Sequence, residues 1–246
     1  MPKDNVSLFE IFGPVMIGPS SSHTAGVARI AWLARKMFGA VPARVIIRFY
    51  GSLAATWKGH GSGDAAIAGL LGIHPEDEDL NRGRQKLKEL QAQGQGFPEE
   101  IISMPDLPPA WHPNTVVLEL FGGQNPDPLN QSAGAEQEHL MIRAASIGGG
   151  SICINEINGY EVALSGESEA VLVMHHDEIG VIARISLLLA SRSINIAATS
   201  FHRKEKGEEG MLVVETDGAI PAKVIGELKA LPPVFKVLWI PSLEGV

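Results

Sequence analysis

Cysteine occurs once in this chain of 246 residues, at Cys153. A single thiol excludes an intrachain disulfide. It equally excludes an iron–sulfur cluster held by this chain alone, because such clusters take about three or four thiolates. Cys153 lies in the apolar run Ile152–Ile154 and reads as a buried core thiol. Long apolar runs are also missing. None approaches the roughly 20 residues that span a bilayer, and the longest, Ile182–Ala190, is broken by Arg184 and Ser186. The N-terminal stretch Met1–Gly13 has neither a long apolar segment nor a small-residue cleavage site, so a cytoplasmic protein without membrane contact is expected. The formal net charge is −8 and no Lys/Arg block is present, which argues against a nucleic-acid partner. Glu136 and His139 fit no metal-binding spacing, so no metal site is expected on this chain alone.

What is present suits a packed protein. Hydrophobic residues make up 45% and charged residues 20% of the sequence, and the length holds one large domain or two modest ones. Ser7–Glu10 has the form of a capping box and predicts a short opening helix. After a hydroxyl-rich loop over Ile17–Thr24, apolar residues recur at helical spacing at Val27, Ile30, Ala31, Ala34, Met37 and Phe38. Arg29, Arg35 and Lys36 lie off that face, and Gly39 supplies a stop. Arg44–Tyr50 reads as a strand, followed by a Gly-rich connection to about Asp64, the expected N-cap of a short helix over Ala65–Leu71. Leu80–Gln93 reads as a charged helix and Val116–Phe121 as a strand; Pro105–Pro113 and Gly122–Ala135 read as loops. Met141–Ile147, Ser151–Ile157 and Tyr160–Leu164 are strand-like, the last two joined by the hairpin signal Asn158-Gly159.

Composition shifts at the small polar linker Ser165–Glu169. Strand-like Ala170–His176, helical Val181–Ser191, strand-like Asn195–Arg203 and Met211–Thr216, helical Ala222–Ala230 and strand-like Val234–Ile240 follow. That order is βαββαβ, the ferredoxin-like plan. The expected fold class is therefore α+β: an N-terminal α/β domain over residues 1–166 and a ferredoxin-like domain over residues 167–246.

Four clusters carry candidate chemistry. Ser20–Thr24 feeds a helix N-terminus, where unpaired amides and hydroxyls receive an anion and His23 can move a proton near neutral pH. Gly51-Ser52 and Lys58–Asp64 lie between a strand and a helix, with Gly59 and Gly61 leaving His60 unshielded. Neither glycine set has nucleotide-binding spacing. His112-Pro113-Asn114 leads into a strand. His175–Val181 forms a strand-to-helix turn in which Gly180 permits close approach to a small ligand.

These residues resemble a known family. Ile17–Gly26, containing Ser-Ser-His-Thr, is similar to a segment of the iron–sulfur-dependent L-serine dehydratases, as are Tyr50–Thr56 with Lys58–Gly61, Arg143–Gly150 and Glu156–Gly159. The likeness runs from about Ser7 to Val162, a region that also resembles the allosteric substrate-binding domain of some phosphoglycerate dehydrogenases. Ala170–Pro241 resembles an ACT domain, a module that senses amino acids; Ile179 stands where such domains often have proline. The resemblance implies the β chain of a two-chain enzyme converting L-serine to pyruvate and ammonia. A cysteine-rich α chain would hold a [4Fe–4S] cluster. His60, His23 and His112 would be catalytic, and Ser21, Ser22, Thr24, Lys58 and Gly61 would bind substrate. Asp177, Gly180 and Val181 would bind an effector, and the chain would form a homodimer through its ACT domain. The alternative is a non-catalytic serine-sensing protein like the regulatory domains of phosphoglycerate dehydrogenase. A pyridoxal-phosphate lyase using Lys58 has no phosphate cup to support it.

Overall fold

The structure, a computed structural model, describes residues 21–124, 139–203 and 205–243. The expected capping-box helix at Ser7–Glu10 and most of the Gly122–Ala135 loop lie outside the described residues. A π-helical turn, Ser21–Ala25, leads directly into α1 (Gly26–Phe38). Then come β1 (Val41–Tyr50), α2 (Gly51–Thr56), α3 (Ser62–Leu70), a 3-10 turn (Glu78–Arg82), α4 (Gly83–Ala92) and β2 (Glu99–Met104). The strands β3 (Thr115–Gln124), β4 (His139–Gly148), β5 (Ser151–Ile157) and β6 (Tyr160–Leu164) complete the first sheet. Its order is β2-β1-β3-β4-β5-β6, with β1 and β2 parallel and the other neighbours antiparallel. The remainder is β7 (Glu169–His176), α5 (Val181–Ser191), β8 (Ile196–Arg203), β9 (Glu209–Thr216), α6 (Ala222–Lys229) and β10 (Val234–Ile240). These strands form a second sheet in the order β10-β7-β9-β8, the antiparallel arrangement that βαββαβ connectivity produces.

The core explains two sequence patterns. Along β7, Val171 and Val173 pack with Val181, Ile185 and Leu189 of α5 and Val224, Ile225 and Leu228 of α6. Ala170, Leu172 and Met174 point the other way, into a core shared with α1 and the first sheet. Successive side chains alternate faces, so a strand covered on both sides needs an unbroken apolar run, which Ala170–Met174 supplies. The second pattern is α1. Its periodicity predicts a one-sided amphipathic helix; instead Trp32 and Leu33 are buried as well as the expected stripe, because α1 packs against β4 and β5 on one side and β10 on another. Each such Leu, Ile or Met removed from water stabilises the fold by about 1.5–3 kcal/mol. The α1–α3 crossing needs glycine: a Cβ at Gly69 would lie 2.6 Å from the Ala28 carbonyl oxygen and 2.7 Å from the Trp32 nitrogen.

Three local expectations are corrected. The connection after β1 is not loop throughout, since α2 forms over Gly51–Thr56, anchored by buried Leu53 and a Thr56 hydroxyl that donates to the Ser52 carbonyl at 2.7 Å. Asp64 is not an N-cap. Helix α3 begins at Ser62 with Gly61 in the capping position, and Asp64 lies inside the first turn, accepting from Arg84 Nη2 at 2.6 Å and Nε at 3.1 Å. Cys153 is half-buried on the outer face of the first sheet, not in the core, with the Asn155 amide donating to its Sγ at 3.3 Å.

Candidate functional site

The site is assembled where chain segments meet at one end of the first sheet. The π-helical turn brings His23 to the start of α1; the turn between α2 and α3 brings His60, and the segment entering β3 brings Asn114. π-Helical turns are rare, and those within α-helices occur frequently at functional sites. His60 Nδ1 lies 2.9 Å from His23 Nδ1, with ring centroids 4.9 Å apart. On its other side His23 Nε2 lies 3.0 Å from Ser52 Oγ and 3.3 Å from Asn114 Oδ1. The Asn114 amide also donates from Nδ2 to the Ser146 carbonyl at 3.4 Å, and the Ser146 N–H donates to the Asn114 carbonyl at 3.1 Å. Among the described residues, His60 Nε2 has no hydrogen-bond partner.

Two further contacts hold these segments together. Thr24 is buried and donates its hydroxyl proton to the His60 carbonyl at 2.9 Å, fixing the loop that carries the second imidazole. The Ser52 N–H donates to the Pro113 carbonyl at 2.8 Å. Burial holds the His23 imidazole below its ordinary value of 6.5; the Asn114 hydrogen bond opposes this and the charge of His60 adds to it. Ser146 is fully buried with its Oγ unpaired, against Gly26, where a Cβ would come within 1.9 Å of that oxygen.

Of the residues singled out from sequence, His23, His60 and Thr24 are brought together. The side chains of Ser21 and Ser22 lie outside the described residues, although their backbone opens the π-helical turn. Lys58 is exposed, its Nζ 5.4 Å from the centre of the Trp57 ring, and Gly61 stands in a left-handed conformation at the start of α3. His112 is exposed; its Nδ1 accepts the Asn114 N–H at 3.1 Å, so it shapes the turn that presents Asn114. Ser52 and Asn114 stand in two of the candidate clusters without an assigned role, and Ser146 lies in a stretch that only the family resemblance singles out. Their motifs were visible, yet nothing in a single sequence tells that three segments converge on one imidazole.

The second candidate lies at the turn before α5. Gly180 is left-handed with φ 85°, Val181 is buried, and Ile179 is fully exposed. Asp177 accepts from Arg203 Nη1 at 2.9 Å and the Gly207 N–H at 3.0 Å; these two bonds hold its carboxyl below the usual range and tie the turn to the β8–β9 hairpin. The outer face of the first sheet carries a separate cavity of about 650 Å³ beside Arg48, Glu119, Arg143 and Glu156, whose charges pair with one another. His139 lies there, 3.5 Å from Glu119, while Glu136 lies outside the described residues.

A histidine pair at a helix start, followed by a βαββαβ sheet, defines a class by architecture: an α+β protein with a ferredoxin-like C-terminal part. Comparison with known proteins makes this specific. Residues 7–156 match the family model described as "Serine dehydratase beta chain", and residues 171–236 match an "AHAS small subunit-like ACT domain". The chain is 41% identical over 234 residues to a probable L-serine dehydratase, beta chain, of Bacillus subtilis, covering 95% of this chain and 97% of that one. It is 33% identical over 211 residues to the L-serine dehydratase, beta chain, of Peptoniphilus asaccharolyticus, covering 86% and 87%. It is also 30% identical over 109 residues to a D-3-phosphoglycerate dehydrogenase of Methanocaldococcus jannaschii, covering 44% and 21%. The chain belongs to the serine dehydratase beta chain family, and its C-terminal domain is ACT-like.

Proposed function

We propose that this chain is the β subunit of an L-serine ammonia-lyase working in the cytoplasm, and that it supplies the base and substrate cradle while a cysteine-rich α chain supplies a [4Fe–4S] cluster. The observation that carries this reading is the His23–His60 pair, held by Ser52 and Asn114 at the start of α1. The chain's own residues do not fit the cluster: its lone thiol, Cys153, lies on the outer sheet face with Asn155 as its partner. When bound on the partner chain, the cluster would supply a Lewis acid toward the substrate hydroxyl.

The residues of this chain account for the rest. The first amides of the helical turn, with Ser21 and Ser22, receive the serine carboxylate. His60 Nε2 takes the proton from Cα, and loss of hydroxide from Cβ leaves aminoacrylate; water then converts this to pyruvate and ammonia. His23 orients His60, and Thr24 holds the His60 loop. Lys58 and Gly61 flank the approach, and His112 shapes the Asn114 turn. The ACT-like domain forms a homodimer through β8, an edge strand whose outer side is unpaired in the sheet order, together with the exposed apolar residues Ile182 and Leu187 of α5, giving a two-plus-two assembly with the α chain. An amino-acid effector binds at Asp177–Val181.

Anaerobic co-purification with the α chain, followed by iron analysis and a pyruvate assay, tests the reading. The isolated chain should be inactive and the complex should form pyruvate only with serine. Pyruvate formation by the metal-free chain alone would sink it. A purely serine-sensing role draws support from the match to D-3-phosphoglycerate dehydrogenases; it predicts serine binding to the complex without turnover.

A further inference from the structure

We infer that Asn114 is a positioning residue that sets the proton positions of both imidazoles and thereby leaves His60 Nε2 bare. This rests on the reading of His60 as the base. An asparagine Oδ1 only accepts, and a neutral imidazole carries one N–H and one lone pair. The amide orientation is fixed because Asn114 Nδ2 faces the Ser146 carbonyl at 3.4 Å; a flipped amide would set two acceptor oxygens against each other. Oδ1 therefore faces His23 Nε2, at 3.3 Å, and that nitrogen must carry the proton.

The consequence passes on to the second ring. With its proton on Nε2, neutral His23 has its lone pair on Nδ1. His60 Nδ1 is 2.9 Å away, so it is the donor, and its own proton sits there. His60 is left with an unprotonated Nε2, the nitrogen without a partner among the described residues. Burial of His23, which favours its neutral form, keeps the relay in this state. Ser52 Oγ, 3.0 Å from His23 Nε2, can donate or accept and so cannot choose between the tautomers. Asn114 can. The main-chain bond from Ser146 to Asn114 holds the amide in place without using its side chain.

The test uses the full-length chain with ¹⁵N-labelled histidine, reading imidazole tautomers by long-range ¹H–¹⁵N correlation, and then the assembled complex for kinetics. Wild-type chain should show His23 protonated at Nε2 and His60 at Nδ1. Asn114→Ala should give mixed tautomers at both rings, whereas Ser52→Ala should leave both unchanged. In the complex, Asn114→Ala should lower kcat by about 10²-fold, the low end of what a positioned base contributes, with KM little changed. A circular dichroism melt checks that both variants fold. Unchanged tautomers in Asn114→Ala, or scrambled ones in Ser52→Ala, overturn the inference whatever the activity. Altered tautomers with His60→Ala at wild-type turnover would instead leave the relay standing and remove His60 as the base.

Discussion

His60 and His23 meet through like atoms, Nδ1 to Nδ1 at 2.9 Å, with ring planes inclined by 35°. Two such nitrogens at hydrogen-bond distance hold one proton between them. A second proton would set two N–H groups face to face and put a positive charge on His23. The pair is therefore a device for keeping one imidazole neutral beside another.

The first prediction concerns the base. His60→Ala in the assembled enzyme should lower kcat by about 10²–10⁴-fold. That corresponds to about 3–5 kcal/mol in the barrier. Near-native pyruvate formation by this variant would remove the assignment.

The second concerns acidity. His23 titrates below its ordinary value of 6.5 in the folded chain, so between the two values the unfolded chain binds more protons. Its contribution to stability is fully present above the unfolded value and is lost as pH falls from there toward the folded value. Urea midpoints measured from about pH 7.5 down to about pH 5.5 should fall further for wild type than for His23→Gln. Equal slopes would show that the site does not disfavour the charged ring.

Asp64 supplies a third. It stands beside the His60 loop but binds Arg84, its Oδ2 accepting from both Nε and Nη2 of the guanidinium and its Oδ1 from the Arg84 backbone N–H. Asp64→Ala should cost about 1 kcal/mol of folding stability by denaturant titration, since the half-buried Arg84 donors lose a charged partner but remain partly open to water. Turnover at low temperature should stay within a few-fold of wild type. A collapse of kcat in a folded variant would move Asp64 into the catalytic machinery.

The fourth tests self-association. Leu187 on α5 is 69% exposed and Ile182 is 42% exposed, beside the fully exposed Ile179. Leu187→Glu should shift the purified chain from dimer to monomer in sedimentation velocity while leaving its circular dichroism unchanged. A wild-type chain that sediments as a monomer at all concentrations rules out the homodimer.

The sequence carried most of the strands and the long helices because their signals are local. Asn158-Gly159 forms its turn with φ 50° and 83°, and Gly39 ends α1 in a left-handed conformation, as such residues should. The remaining elements are set by distant partners. Glu99–Met104 forms a strand because it pairs in parallel with Val45–Tyr50, across a long crossover that no neighbouring residue announces. Asn114 sits in a surface-type turn by composition, and only the meeting of β3, β4 and the π-helical turn makes it a partner of His23. The histidines were recognisable by type; their proton arrangement was legible only from distances.

The burial of β7 and β9 on both faces bears on how the molecule can be taken apart. A cut at the polar linker would not yield two finished pieces. It would lay bare Leu172, Met174, Val213, Leu238 and Ile240 on one fragment and the flank of α1 on the other. Transplanting this module to another protein thus calls for a replacement helix beneath it, and the helix it rests on at present is the one that starts at the turn carrying His23.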